Sequence, residues 1–181
     1  MATKNMKNGN AGEEEKGGLV ELLTMKLKAL LDIESELVKA LPKMAKKAND
    51  ESLAKGFEKH AEQTKNHEAR VKQALEMLEA KPQKIKAESI RGLVEDADWL
   101  MKNAKGDEMR DAGMAAAAQG VEHFEIAEYE SAIEWAQLLG KNDVADLLSQ
   151  TLQEEKETSE ELAQLAETKL NERAMSGAAA R

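Results

Sequence analysis

The chain has 181 residues with a formal net charge of −9, 41% hydrophobic and 34% charged residues, and no cysteine. The acidic balance argues against a nucleic-acid partner, because phosphate binding needs a basic face, and the lack of cysteine excludes disulfides, thiolate nucleophiles and cysteine-ligated zinc. No apolar stretch is long enough to span a membrane and the first residues carry no secretory signal, which predicts a soluble, cytoplasmic protein without a membrane partner.

Helix-forming residues dominate and aromatic residues make up only 3%, which predicts an all-α chain. Residues 1–17 are polar and show no hydrophobic period, so a disordered tail is expected there. Apolar residues then recur at spacings of three and four, which predicts a first helix over about residues 19–48 that bends at Pro42. Asn49 and Asp50 form the next turn, with Asp50 as a helix N-cap.

Four further helices follow from the same periodicity and from the turn residues between them. They are predicted at about residues 51–79, 88–104, 107–139 and 143–173. Gly140 is expected as a C-cap and Asp143 as the following N-cap. Residues 175–181 are expected to fray, which leaves one domain at residues 18–174.

Short turns make the flanking long helices antiparallel, so the chain reads as two helical hairpins. The hairpins are joined by a segment of about 25 residues that contains the short helix at 88–104, long enough for a crossover. The predicted fold is therefore an all-α, ferritin-like four-helix bundle with a short extra helix in the crossover.

Three glutamates lie in otherwise apolar helical stripes: Glu34, Glu125 and Glu155. An unpartnered carboxylate costs several kcal/mol or more to bury, so a positive group is expected between them. In an antiparallel hairpin, the numbers of two residues at the same height add up to about twice the number of the turn residue. Glu34 therefore lies near the height of residue 64, and Glu125 near that of residue 157, which groups the three acids at one level.

Glu122 precedes Glu125 by three residues on the same helical face, and the second helix offers His60 and His67. Carboxylates with imidazoles suit iron, manganese or zinc. A di-metal bundle of the ferritin type uses Glu-x-x-His on two helices. This chain has no such motif and instead carries Thr64-x-x-His67 and Glu155-x-x-Thr158, so the predicted site is rich in acids and short of histidine. The predicted metal ligands are Glu34, His60, His67, Glu122, Glu125 and Glu155.

Four stretches resemble the YciF-like stress-protein family: ESELVKALPKMA, FEKHAEQT, AAAAQGVEHFEIAEY and LLSQTLQEEKET. The resemblance implies a ferritin-like bundle, a homodimer and a di-metal site, with no settled activity. Matching acidic and histidine positions are Glu34, His60, Glu62, Glu122, His123, Glu125, Glu154 and Glu155. Two positions depart from the family pattern: Gln63, where an acid is frequent, and Ser159, where aspartate is usual.

Each of these residues also has a purely structural interpretation. The buried acids would pair with lysine, histidine or tyrosine in a network without metal, and His60 and His67 would be ordinary surface residues. His123 is expected to serve packing or a dimer contact, and Glu62 and Glu154 to be solvated. Tyr129 is either a core residue or a hydrogen-bond donor to a ligand.

Two functional hypotheses follow. One is a di-iron or di-manganese protein that handles oxygen or peroxide; the other is a non-enzymatic helical dimer or partner-binding stress protein with an empty metal site. An interfacial membrane helix is disfavoured, because the apolar stripes are needed for the bundle core and the surface is acidic.

Overall fold

A computed structural model describes the backbone of residues 10–179 and the side chains of residues 17–176. Its helices are α1 Asn10–Lys47, α2 Glu51–Met77, α3 Glu88–Asn103, α4 Asp107–Leu138, α5 Asn142–Leu165 and α6 Asn171–Ala179, with a π-helical turn at Ala166–Leu170 between the last two. The all-α prediction is confirmed for the described part of the chain. No helix in this part is both long enough and apolar enough to cross a membrane.

The predicted helix boundaries need three corrections. The first helix begins at Asn10, so residues 10–17 are helical rather than part of a disordered tail; residues 1–9 and 180–181 of the predicted tails lie outside the described backbone. The second helix ends at Met77, slightly earlier than predicted. The last long helix turns through the π-helical segment and runs on to Ala179, beyond the predicted end at residue 173.

The helix caps explain two of the turns. Asp50 accepts hydrogen bonds from the backbone N–H groups of Ser52 and Leu53, as predicted for an N-cap. Gly140 has a φ of +70°, the left-handed conformation that ends a helix without steric cost when no Cβ is present. The predicted Asp143 N-cap is wrong: α5 begins at Asn142, and no side chain caps its first turn.

The helices form a bundle in which α1 packs on α2 and α4 packs on α5 as two antiparallel hairpins. The α2–α5 and α1–α4 contacts close the bundle, and α3 lies against α4 and α1 in the crossover. Because the crossover carries the chain back along the bundle, α2 and α4 run in the same direction. This is the one-crossover connectivity predicted from the long middle segment.

Asp32 fixes the crossover to the first helix. Its Oδ2 accepts hydrogen bonds from the Ala87 backbone N–H at 2.9 Å and from Arg91 at 2.7 Å. Ile85 also donates a backbone hydrogen bond to the Lys28 carbonyl. These contacts seat the start of α3 against the middle of α1.

The core is a leucine-rich interior that is interrupted halfway along the bundle. Each fully buried leucine, such as Leu27, Leu30 and Leu148, stabilises the fold by about 1.5–3 kcal/mol. Between these apolar layers lies a layer of buried polar side chains, contributed by all four long bundle helices. This polar layer contains the candidate site.

Candidate metal centre

All six predicted ligands meet in the polar layer, and each is at most 3% exposed. α1 supplies Glu34, α2 supplies His60 and His67, α4 supplies Glu122 and Glu125, and α5 supplies Glu155. Seven positions separate the two histidines, which is two helical turns, so both imidazoles point to the same side of α2. The candidate ligands are thus four acids and two histidines, both histidines from one helix, and their role as metal ligands stays a prediction.

The side chains form two groups that share one carboxylate. Glu34, His67 and Glu155 make one group, and His60, Glu122, Glu125 and Glu155 make the other. In each group the potential ligand atoms all lie within 4.8 Å of one another. A carboxylate common to both groups has the position of a bridge between two ions.

His67 lies at the first group. Its Nδ1 is 2.8 Å from Glu155 Oε1 and 3.8 Å from Glu34 Oε2, and neither contact has hydrogen-bond geometry. Its Nε2 lies 2.7 Å from Glu154 Oε2 on the outer side. Tyr129 is a fully buried core residue that also donates a hydrogen bond to Glu34 Oε1, so both predicted roles of this tyrosine are present.

His60 lies at the second group. Its Nε2 is 3.2 Å from Glu122 Oε1 and 3.7 Å from Glu155 Oε2, while Nδ1 lies 3.4 Å from the Thr158 hydroxyl. Thr158 also donates to the Glu154 carbonyl, so its oxygen is free to accept from Nδ1. With Nδ1 protonated in this way, the Nε2 lone pair faces the acids.

The centre holds seven buried polar atoms with no hydrogen-bond partner in the described structure. They are Glu34 Oε2, His67 Nδ1, Glu122 Oε2, and both carboxylate oxygens of Glu125 and of Glu155. Buried polar atoms in folded proteins are nearly always hydrogen-bonded, and an unpaired one costs about 1–3 kcal/mol. Such a concentration in one place indicates a missing positive partner.

The four buried carboxyl groups have raised pKa values and therefore stay protonated to a higher pH than usual. Burial raises the pKa of Glu34 to about 8 and that of Glu122 to about 7. Burial and the neighbouring carboxylates raise the pKa of Glu125 well above its usual value, and burial also raises that of Glu155. In the absence of a cation, the charged forms are destabilised by lost hydration and by mutual repulsion.

The two imidazoles have opposite pKa shifts. Burial alone would lower the pKa of His67, but its contacts with Glu155, Glu34 and Glu154 outweigh burial and raise it to about 9. Burial dominates at His60 and lowers its pKa. His67 is therefore the imidazolium that partly neutralises the acids, whereas His60 stays neutral.

The contacts that Glu154 and Arg70 make on the outer side of His67 were not predicted from the sequence. Arg70 forms two parallel hydrogen bonds with the carboxylate of Glu154, and the same carboxylate accepts from His67. The expectation that Glu154 is merely solvated is wrong, because it is half-buried and orients an imidazole. Arg70 lies three residues after His67 on α2, and that spacing was the only available signal.

Other predicted positions lie outside the centre. His123 is exposed, and Glu62 is exposed and paired with Lys65. Thr64 is buried and donates to the His60 carbonyl of its own helix. Gln63 is half-buried and contacts His60, and Ser159 is buried on α5.

Comparison with known proteins agrees with the sequence resemblance. The profile of a family described as "Domain of unknown function (DUF892)" matches residues 18–175. Protein YciF of Escherichia coli (strain K12) is 37% identical over 142 residues, which cover 78% of this chain and 86% of that protein.

Two solved structures have the same fold. The crystal structure of the E. coli stress protein YciF superposes with a TM-score of 0.81 at 34% identity, covering 84% of this chain and 97% of YciF. YcfI of Rhodopseudomonas palustris gives a TM-score of 0.79 at 34% identity, covering 80% and 92% of the two chains.

Proposed function

This chain belongs to the DUF892 family, with the stress protein YciF among its relatives, and we propose that it binds two divalent metal ions in the buried polar layer. The observation that carries the proposal is the set of seven buried carboxylate and imidazole atoms without a hydrogen-bond partner. A purely structural network would pair these atoms with protein donors.

Charge and donor type both fit this assignment. With the imidazoles neutral, the four carboxylates of Glu34, Glu122, Glu125 and Glu155 carry four negative charges, which two divalent ions balance. A mixed set of carboxylate oxygens and imidazole nitrogens suits iron or manganese, and also zinc. Glu34 and His67 would hold one ion, His60, Glu122 and Glu125 the other, and Glu155 would bridge them.

A pair of iron or manganese ions supplies one-electron chemistry toward dioxygen or peroxide, which we propose as the reaction class. The chain's own residues prepare the site for it. Glu154 and Thr158 orient the two imidazoles, Tyr129 holds Glu34 by its hydroxyl, and the surrounding leucine layers exclude bulk water. We further propose a cytoplasmic homodimer whose protomers each carry one such site.

Metal analysis of protein purified without chelator tests the proposal. We expect about two equivalents of Fe(II) or Mn(II) after anaerobic addition, followed by consumption of peroxide with the Fe(II)-loaded protein. Glu125→Leu is the variant expected to lose one equivalent, and Glu130→Gln on the exposed face of the same helix is its matched control. Less than about a tenth of an equivalent in the parent protein would refute the proposal and favour the non-enzymatic alternative.

A further inference from the structure

One cavity connects the buried centre with the surface. It lies between α2 and α5, has a volume of about 210 Å³, and its outer walls are formed by Ser52, Gly56, Lys59, Gln63, Thr158 and Glu161. At its inner end are His60 and Glu122, two side chains of the second metal group. We refer to it as the α2–α5 cavity.

Polar side chains occur from the mouth of this cavity to its inner end, beside apolar ones such as Leu53, Phe57 and Leu162. The Thr158 hydroxyl lies next to His60, and the buried Oε1 of Gln63 has no hydrogen-bond partner in the described structure. At the surface, Lys59 and Glu161 join the two walls by an ion pair of 2.6 Å, and both side chains are more than half exposed. Between the surface and Glu122, an ion in this cavity would pass the side-chain oxygens of Glu161, Gln63 and Thr158.

A second cavity ends at Glu122, but its size and the charges that line it differ. It lies between α1, α3 and α4, has a volume of about 70 Å³, and is lined by apolar residues together with Lys43, Lys47 and Asp98. Its smaller volume and its two lysines disfavour the passage of a hydrated divalent cation.

The surface beside the α2–α5 cavity is acidic. Glu161 lies both in the cavity mouth and in a shallow depression on α5 that contains Glu157, Glu160 and Glu167. Clustered charge of one sign beside a cleft raises the local concentration of the opposite ion and its association rate. The net charge of −9 adds to this attraction.

We propose that divalent metal ions reach the buried centre through the α2–α5 cavity, guided to its mouth by the acidic depression on α5. This inference rests on the proposed function, since it assigns a route to the same metal centre. It adds roles for Gly56 and for the surface glutamates, which touch no ligand.

Gly56 makes the route testable. A Cβ added at Gly56 would meet no atom within 4 Å, so a larger side chain fits the helix and extends into the space that this residue lines. Gly92 on α3 has equally open surroundings and is remote from the cavity, which makes Gly92→Phe the matched control. Ala117→Phe fills the cavity between α1, α3 and α4 instead and tests the other route.

The experiment is stopped-flow absorbance of Co²⁺ binding to the metal-free protein, together with equilibrium titration. We expect Gly56→Phe to slow both binding and release by at least about tenfold while the dissociation constant changes less than about twofold, because a blocked route raises a barrier without altering the bound state. Gly92→Phe and Ala117→Phe should bind at the parental rate. If Gly56→Phe fails to fold or loses affinity, the smaller Gly56→Leu is used in its place. It must then slow binding and release while leaving the dissociation constant nearly unchanged.

The acidic depression is tested by salt dependence. Glu160→Gln combined with Glu167→Gln should slow Co²⁺ association about two- to fivefold at low ionic strength, with the difference disappearing at about 0.5 M salt. Glu76→Gln combined with Glu134→Gln, an equal change of charge at the other end of the bundle, should have a smaller effect.

The outcomes separate the two proposals. A parental protein that binds no Co²⁺ refutes the metal centre, and the route with it. Normal Co²⁺ affinity with an unchanged rate in Gly56→Phe, or slowing in Ala117→Phe alone, refutes only the α2–α5 route.

Discussion

His67 and Glu154 lie 2.7 Å apart through Nε2 and Oε2, so the imidazole is held from the outside of the bundle and presents Nδ1 to the inside. Arg70 keeps this carboxylate ionised: its hydrogen bonds are the main cause that lowers the pKa of Glu154. The pair therefore determines which nitrogen of His67 faces the buried acids.

The first prediction concerns this contact. Glu154→Gln retains an acceptor for His67 but removes the charge that favours Nε2 protonation and holds Arg70. We expect metal affinity to fall about tenfold or more, as is typical when the partner of a ligating histidine is removed. Competition with a chromophoric chelator measures the affinity. Asp146→Asn, on the exposed face of the same helix, should bind metal normally, and an equal loss there would contradict the orienting role.

The second prediction is a pH dependence of the metal-free protein. Glu34 has a pKa of about 8 when folded against an ordinary value of 4.5, so the native state keeps a proton that the unfolded chain has lost between these values. Stability therefore falls as pH rises from about 4.5 to 8, and His67, with its pKa raised from 6.5 to about 9, extends the loss in the same direction.

Thermal unfolding in the presence of EDTA checks this sign. We expect the Tm to decrease by about 2–8 °C between pH 5 and pH 8, the response to roughly 1–2 kcal/mol in a chain of this size. Glu34→Gln should flatten the dependence. Saturating metal should raise the Tm most at pH 8, where the acids release their protons most easily. If the Tm of the metal-free protein instead rises over this pH range, positive groups of the protein itself neutralise the buried carboxylates.

The third prediction concerns Glu125, whose two oxygens both lack a partner. Replacing an uncompensated buried acid by an apolar residue of similar volume is often neutral or stabilising. Glu125→Leu should therefore equal or exceed the parent in metal-free Tm at pH 8 but lose most of the metal-induced rise. Glu134→Leu, exposed on the same helix, should keep that rise. A strong loss of metal-free stability in Glu125→Leu would favour a structural network.

The fourth prediction is independent of metal. Asp50 caps α2 and also pairs with Lys169 at 2.7 Å and Arg173 at 2.8 Å, which joins the last helical turns to the first hairpin. Asp50→Ala should cost about 1–2 kcal/mol from the cap alone. Asp50→Asn should cost less, because asparagine caps a helix equally well and only the ion pairs are lost.

The pH dependence of Asp50 has the opposite sign to that of the buried acids. Burial alone would raise its pKa, but the hydrogen bonds from Lys169, Leu53 and Ser52 together lower it below 3.8. Its contribution is thus present above that value and is lost as pH falls through the folded pKa. Urea unfolding should show a difference in the free energy of unfolding between the parent and Asp50→Asn at pH 7, and this difference should narrow as the pH falls below 3.8.

Helical periodicity and turn residues were sufficient to predict the bundle. The turn at Asp50 and the turn at Gly140 set the heights of facing residues, and this placed Glu34, Glu125 and Glu155 at one level before any coordinates were known. The periodicity could not give the helix ends: α1 begins at Asn10, in a segment that lacks an apolar stripe. The role of Glu34, Glu125 and Glu155 as metal ligands stays a prediction.

The histidines were harder to interpret, because α2 is polar on most of its surface and its sequence leaves open which flank faces inward. His60 and His67 are in fact buried; Glu154 contacts His67 from α5, and Arg70, on the same helix as His67, holds Glu154. Contacts between α2 and α5 join residues more than 80 positions apart, and no local pattern encodes them.

The amino-acid sequence by itself determined that this protein is a helical bundle with buried acids at a common height, because periodicity and turn position are local properties of a chain. Only the tertiary structure decided that two imidazoles complete the cluster, that Glu155 is shared by both groups, and that the α2–α5 cavity leads to it. The reason is physical: the rotation of each helix about its axis follows from how all four helices pack together, and a few tens of degrees decide whether a side chain faces water or the core.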